Sequence, residues 1–157
     1  GRGGAIKAGA IVVAADHGGV ALKDELVRAL EEWGWRVEDL GTHGVDSVDY
    51  PDYASALCRR VAAGAPPVGV LVCGTGIGMS IAANRRPGIR AALCADSLSA
   101  SMARAHNDAN VLCLGGRIIG PELAKAVLRA FVDGEFEGER HRRRLDKIEE
   151  LALAEDG

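Results

Sequence analysis

Apolar residues along the chain fall into two alternating rhythms. Short, nearly continuous apolar runs occupy 10–15, 36–40, 68–73, 91–94 and 111–114, the length and composition of strands buried on both faces. Between them, segments 20–33, 53–63, 77–84, 97–105 and 121–132 repeat apolar positions at helical spacing, and Pro121 falls in a first turn, where a missing N–H does no harm. A last segment, 137–153, is rich in charge. Its apolar residues are mainly Leu145, Ile148, Leu151 and Leu153, a stripe thin enough to suit docking against a second subunit.

Strands alternating with helices predict one α/β domain, a single Rossmann-like three-layer unit. It has a five-stranded parallel sheet, helices on both faces and a C-terminal helix for dimer contact. The domain is expected over 10–153. Residues 1–9, GRGGAIKAG, lack the apolar stretch of a signal peptide and read as a flexible leader. The short stretch 64–67 is a loop between helix and strand, and no repeat or low-complexity tract divides the 157 residues.

Charge and cysteine content narrow the function. A formal charge of −3 and a pI near 5.8 give no general pull toward nucleic acid or anionic membrane, so an anion site has to be local and the ligand small. The apolar runs are strand-sized, far below a membrane span. Cys58, Cys73, Cys94 and Cys113 show no CxxC spacing, and three lie in apolar runs. Zinc and disulfide frameworks both fit poorly, and the reduced cytoplasm fits best.

Ligands of open parallel sheets collect at the carboxyl ends of the strands. There stand Asp16-His17-Gly18-Gly19, Gly41-Thr42-His43, Cys73-Gly74-Thr75-Gly76-Ile77-Gly78, Asp96-Ser97 and Gly115-Gly116-Arg117. The third is the most informative. A buried strand runs into a glycine-rich turn that opens a helix, so backbone N–H groups can converge on an anion, and a cysteine at that mouth is a usable base or nucleophile. A dinucleotide fingerprint fits less well, because the third glycine of that pattern would fall on Met79 and the loop follows the third strand rather than the first. Each signal alone has a plain structural reading. Cys73 could be a core thiol, Asp16 a helix cap, His106-Asn107-Asp108 a helix end with a turn, and the arginines of the last helix a solvated face. Arg140 and Arg144 share one helical face and could grip a phosphate together, whereas Arg142 and Arg143 point elsewhere.

In combination and order these segments resemble the sugar-phosphate isomerase family that includes ribose-5-phosphate isomerase type B and the galactose-6-phosphate isomerase subunits. The resemblance runs over 11–148. It is carried by Ala15-Asp16-His17-Gly18-Gly19, Asp49-Tyr50-Pro51-Asp52-Tyr53-Ala54, the run CGTGIGMSIAAN at 73–84, Gly88-Ile89-Arg90-Ala91, His106-Asn107-Asp108-Ala109-Asn110-Val111 and Gly138-Glu139-Arg140-His141. It implies an aldose–ketose isomerase that interconverts D-ribose 5-phosphate and D-ribulose 5-phosphate through an enediolate, with Cys73 as base and His106 as the acid/base that opens the ring. It further implies that the backbone of Gly74, Gly76, Ile77 and Gly78 holds the enediolate oxygens, that Asp16 and Asn107 contact sugar hydroxyls, and that Thr75 and Tyr50 line the pocket. Phosphate falls to His17, Arg140 and Arg144, with Arg117 assisting. No metal or organic cofactor is expected. The expected partners are a phosphorylated aldose or ketose and a second copy of the chain, in a homodimer or a tetramer with shared active sites. Met79 stands where one branch of the family has a glutamate base, Glu139 replaces a frequent glycine, and Leu98 a frequent tyrosine. The same chemistry on a tetrose phosphate or on galactose or allose 6-phosphate, or sugar-phosphate binding without turnover, are the alternatives.

Overall fold

The computed structural model describes residues 4–5 and 9–156. In chain order the elements are β1 (Gly4–Ala5), β2 (Ala10–Ala15), α1 (Val20–Glu32), β3 (Arg36–Asp39), α2 (Tyr50–Ala62), β4 (Gly69–Cys73), α3 (Ile77–Asn84), β5 (Ala91–Leu93), α4 (Ser97–Asn107), β6 (Val111–Gly115), α5 (Pro121–Val132), β7 (Glu135–Phe136) and α6 (Arg140–Asp156). Five of the strands form one parallel sheet in the order β3-β2-β4-β6-β5. The apolar runs had to lie inside it, because β4 and β6 are buried along their whole length.

Side chains of alternate strand residues separate two cores, as the two-residue period of a strand requires. Val13, Val70, Val72, Leu112 and Leu114 pack against α1, α4 and α5 through residues such as Leu26, Ala100 and Phe131. Val12, Ala14, Leu71, Cys73 and Cys113 point to the other face, where Leu57 and Val61 of α2 and Met79 of α3 cover them. The layers are therefore helix, sheet, helix, as the periodicity predicted. Lys23 is fully buried. Its Nζ meets Asp39 at 2.7 Å and Asp24 at 3.1 Å, and Asp39 Oδ1 also accepts from the Gly41 N–H at 2.9 Å, which ties α1 to the end of β3.

Of the boundaries that differ from the sequence expectation, three bear on the site. Helix α2 begins at Tyr50 rather than 53, because Pro51 occupies its first turn instead of blocking it. Helix α4 runs on through His106 and Asn107. Helix α6 starts at Arg140 rather than 137, after Gly138 (φ 69°) and Glu139 (φ 45°) turn the chain through left-handed conformations. Of the expected leader, Gly4–Ala5 pairs antiparallel with Glu135–Phe136, while 1–3 and 6–8 lie outside the described residues. Among the described residues, no helix is long and apolar enough to cross a membrane.

Candidate active site

The chain runs from β2 outward to β3, then returns to place β4 on the other side of β2. That reversal opens a crevice between the carboxyl ends of β2 and β4, the general position for a ligand in such sheets. Asp16 follows β2, Cys73 ends β4, and the Asp16 N–H donates to Val72 O at 3.2 Å. The two segments are thus neighbours by topology.

Cys73 is 5 % exposed, and its Sγ accepts the Gly76 N–H at 3.1 Å. Gly76 holds φ at +81°, and a Cβ there would come within 2.9 Å of the Leu114 carbonyl carbon, so only glycine closes this turn. The Ile77 N–H is given to Thr75 Oγ1 at 3.2 Å. Two of the loop's donors are therefore engaged inside the loop, one of them on sulfur. Helix α3 opens with no side-chain cap, which leaves the Gly78 and Met79 N–H groups at its first turn without an intrahelical acceptor. The loop is a partially positive concavity with a thiol at its base.

Other predicted residues converge on it. Asp16 is buried and Oδ1 accepts from the Gly18 N–H at 2.9 Å. It does not cap α1, whose N-cap is Gly19. His17 Nδ1 accepts the Val48 N–H at 3.1 Å, so in this arrangement the ring presents its N–H from Nε2. The Tyr50 ring lies on Gly78 so closely that a Cβ there would sit 2.6 Å from Cε1 and Cζ. Gly116 N–H donates to Cys73 O at 2.8 Å and Arg117 N–H to Gly74 O at 2.9 Å. The Arg117 side chain passes over Gly74, about one van der Waals contact away from where a Cβ would be.

His106, Asn107, Arg140 and Arg144 are elsewhere in the same chain. Helix α4 runs back along the sheet, so His106 stands near the start of β6, where Val111 is paired with Gly69, while Cys73 is paired with Gly115 at the other end. Four strand residues separate those levels, roughly 13 Å at the strand rise. The predicted residues form two groups at opposite ends of the sheet.

The second group contains residues that the sequence reading did not assign. The His106 ring stacks on that of His141, with centroids 4.4 Å apart and planes at 17°. Glu137 Oε1 lies 3.8 Å from His106 Nε2 and 3.5 Å from His141 Nε2. Asp108, 3 % exposed, receives Arg104 at 2.9 Å and Arg142 at 2.8 Å, with Arg90 at 3.5 Å. Arg142 therefore turns inward onto α4, and its guanidinium also lies 4.7 Å from the Phe136 ring centroid. The Glu137 and His141 spacing of four was the available signal; the meeting with His106 needed the fold. Arg140 and Arg144 are exposed.

All four cysteines are free thiols. Burial pushes the thiols of Cys58 and Cys94 up to about 11, and that of Cys113 further. Cys73 alone among them has a hydrogen-bonded Sγ within the described contacts.

Comparison with known proteins adds to this geometry. The ribose/galactose isomerase family profile matches residues 11–148. Ribose-5-phosphate isomerase B of Escherichia coli is 46% identical over 138 residues, covering 88% of this chain and 93% of that protein. A D-erythrulose-4-phosphate isomerase of Pectobacterium atrosepticum is 42% identical over 139 residues, covering 88% and 91%. The solved structure of Clostridium thermocellum ribose-5-phosphate isomerase B superposes with a TM-score of 0.90 at 46% identity, over 92% of this chain and 98% of that one.

Proposed function

Because the chain belongs to the ribose/galactose isomerase family, we propose that the aldose–ketose isomerisation it catalyses is that of D-ribose 5-phosphate and D-ribulose 5-phosphate. That it is a sugar-phosphate isomerase follows from its relatives. The observation that best supports an enediolate route is the Cys73 thiol at the base of the glycine loop, with its Sγ held by the Gly76 N–H.

The reaction needs a ring-opening acid, a base that moves a proton between C2 and C1, and donors for the oxygen that gains charge. His106 protonates the ring oxygen while a neighbouring acceptor takes the proton of the anomeric hydroxyl. The Cys73 thiolate then takes the C2 proton of the open aldose, and the C–H electron pair flows through C1–C2 onto the C1 oxygen. Return of that proton to C1, with the O2 proton passing to O1, gives the C1 hydroxyl and C2 carbonyl of the ketose. First-turn N–H groups of α3 and the neighbouring loop stabilise the enediolate, each donor contributing about 3 kcal/mol. Asp16 and Asn107 orient hydroxyls, Thr75 and Tyr50 wall the pocket, and His17, Arg117, Arg140 and Arg144 hold the phosphate.

Cys73 and His106 of one chain are too far apart to share a sugar, so the working site takes Cys73, Asp16, His17, Tyr50 and Arg117 from one protomer and His106, Asn107, Arg140 and Arg144 from its partner. A two-fold dimer makes two such sites. Ile77 and Ile81 of α3, Leu93 at the end of β5, and Leu98 and Met102 of α4 are exposed. Leu93 touches the glycine loop at Gly76. An apolar surface of that kind, beside an incomplete site, suits a second copy.

The test is a coupled assay across aldose phosphates of four, five and six carbons. The highest kcat/KM is expected for ribose 5-phosphate. The name of the Pectobacterium relative makes the tetrose the specific competitor, and a higher kcat/KM for it would replace the pentose reading while leaving the chemistry unchanged.

A further inference from the structure

We propose that His106, Glu137 and His141 form a site for one divalent cation of borderline softness, of the Zn²⁺ class. Their three ligand atoms all lie within 4.8 Å of one another. Bonds of about 2.1 Å at tetrahedral angles put ligand atoms about 3.4 Å apart, and Glu137 Oε1 already stands at 3.5 Å from one imidazole nitrogen and 3.8 Å from the other. These separations are too long for good N–H···O hydrogen bonds. They are near the spacing of ligands on one ion, and because the two imidazoles are stacked with planes 17° apart, His106 has to turn before both nitrogen lone pairs meet it.

A second observation points the same way. His141 is 6 % exposed, and its Nε2 is buried with no hydrogen-bond partner among the described residues. A buried imidazole nitrogen without a partner costs free energy that a ligated ion would recover. His141 is fixed by its burial, whereas the side chains of His106 and Glu137 are 40% and 54% exposed, so the rotation needed to close the site falls on the two side chains free to make it. Two imidazoles and one carboxylate select Zn²⁺, Co²⁺ or Ni²⁺ over the oxygen-seeking Mg²⁺ and Ca²⁺. Three protein ligands leave a fourth position for water. Under the proposed function the ion is an inhibitor rather than a cofactor, because it occupies the His106 nitrogen used for proton transfer; this consequence rests on that reading, and the site does not.

The experiment uses the full chain in phosphate-free buffer. Co²⁺ is titrated with visible absorption as the readout and Zn²⁺ by calorimetry, for the wild type, Glu137→Gln and His141→Gln, while isomerase rates are measured over the same Zn²⁺ range. Expected are one ion per chain, Co²⁺ bands of nitrogen and oxygen ligation without a thiolate charge-transfer band, and at least a ten-fold loss of affinity in both variants. Unchanged affinity in Glu137→Gln overturns the site, and so does a thiolate band that persists at unchanged affinity in both variants, which places the ion on a cysteine away from the cluster. If His141→Gln does not fold, by circular dichroism, the exposed Glu137→Gln decides alone. Half-inhibition by Zn²⁺ at its binding constant, reversed by chelation, supports the site and the role of His106 together. Binding that both variants weaken, with turnover unaffected, supports the site and overturns the role given to His106.

Discussion

Arg142 donates to the Asp108 carboxylate at 2.8 Å and so ties the first turn of α6 to the end of α4. Spacing alone had put Arg142 and Arg143 off the face shared by Arg140 and Arg144, without saying where they go. The structure supplies the destination of Arg142: Asp108 sits at φ 46° after Asn107, held by Arg104 and Arg142 and faced by Arg90. Arg142→Ala removes one charged donor from a buried carboxylate that keeps others, a loss of about 1.5 kcal/mol, or roughly 3–6 °C in Tm. Arg143→Ala is expected to leave Tm within a degree or so. Thermal melts of both variants measure the difference, and equal effects would mean that the bond carries no stability.

Glu139 is a non-glycine residue at φ 45°, at the turn into α6 where the family resemblance expects glycine. A Cβ in the left-handed region costs about 1–2 kcal/mol, partly offset by the greater freedom glycine gains in the unfolded chain. Glu139→Gly is therefore expected to raise Tm by roughly 1–4 °C. A lower Tm would show that the glutamate side chain contributes more than the strained backbone costs.

How much of this was readable beforehand depended on whether the information was local. Buried strands such as Val70 to Cys73 and the glycine turn after them are local patterns, so the sheet, the helices on both faces and the Cys73 loop followed from periodicity and residue type. Tyr50 was placed on the pocket by resemblance alone, with the helix expected from 53; only the fold shows its ring on Gly78. The separation of Cys73 from His106 depends on the strand order and on α4 running back along the sheet, and no spacing rule reports either. The same holds for the stacking of His106 on His141 and for the arginines around Asp108, which join residues from distant segments.

Thiol chemistry separates Cys73 from the other cysteines. At pH 8, with Cys58 and Cys94 raised to about 11 and Cys113 further, those three are almost wholly protonated. Iodoacetamide on the native protein is expected to add one group per chain, at Cys73, with loss of activity in proportion and protection by the sugar phosphate. Cys73→Ser is expected to retain less than a few per cent of turnover. Peptide mass mapping identifies the modified residue, and label on Cys58 before Cys73 would contradict the assignment.

Asp96 caps α4, with its carboxylate accepting from the Ser99 N–H at 2.7 Å and the Ser99 hydroxyl at 2.9 Å. The Ser99 backbone bond, then its hydroxyl, hold the Asp96 carboxyl below its usual range. A depressed folded-state value means that the contribution is full above the unfolded value and disappears as pH falls through the folded one. Asp96→Ala should accordingly lower Tm at pH 7, and the gap should shrink as pH falls below the ordinary aspartate range. A gap that stays constant across that range would show that the charge of Asp96 plays no part in the cap.

The shared site makes a prediction that no single variant can. If each site takes Cys73 from one protomer and His106 from the other, a Cys73→Ala homodimer lacks the base at both sites, and a His106→Ala homodimer lacks the ring-opening acid at both. In a mixed dimer, one site collects both lesions and the other neither. Random assortment of equal amounts makes half of all dimers mixed, and half of the sites in those are intact, so co-refolding is expected to restore about a quarter of wild-type activity. The restored activity should appear with the kinetics of subunit exchange and retain the wild-type KM, because the intact site is unaltered. Native mass spectrometry checks that mixed dimers form. If they form and the mixture stays inactive, the two groups at opposite ends of the sheet do not meet across a dimer, and the roles of Cys73 and His106 cannot both stand.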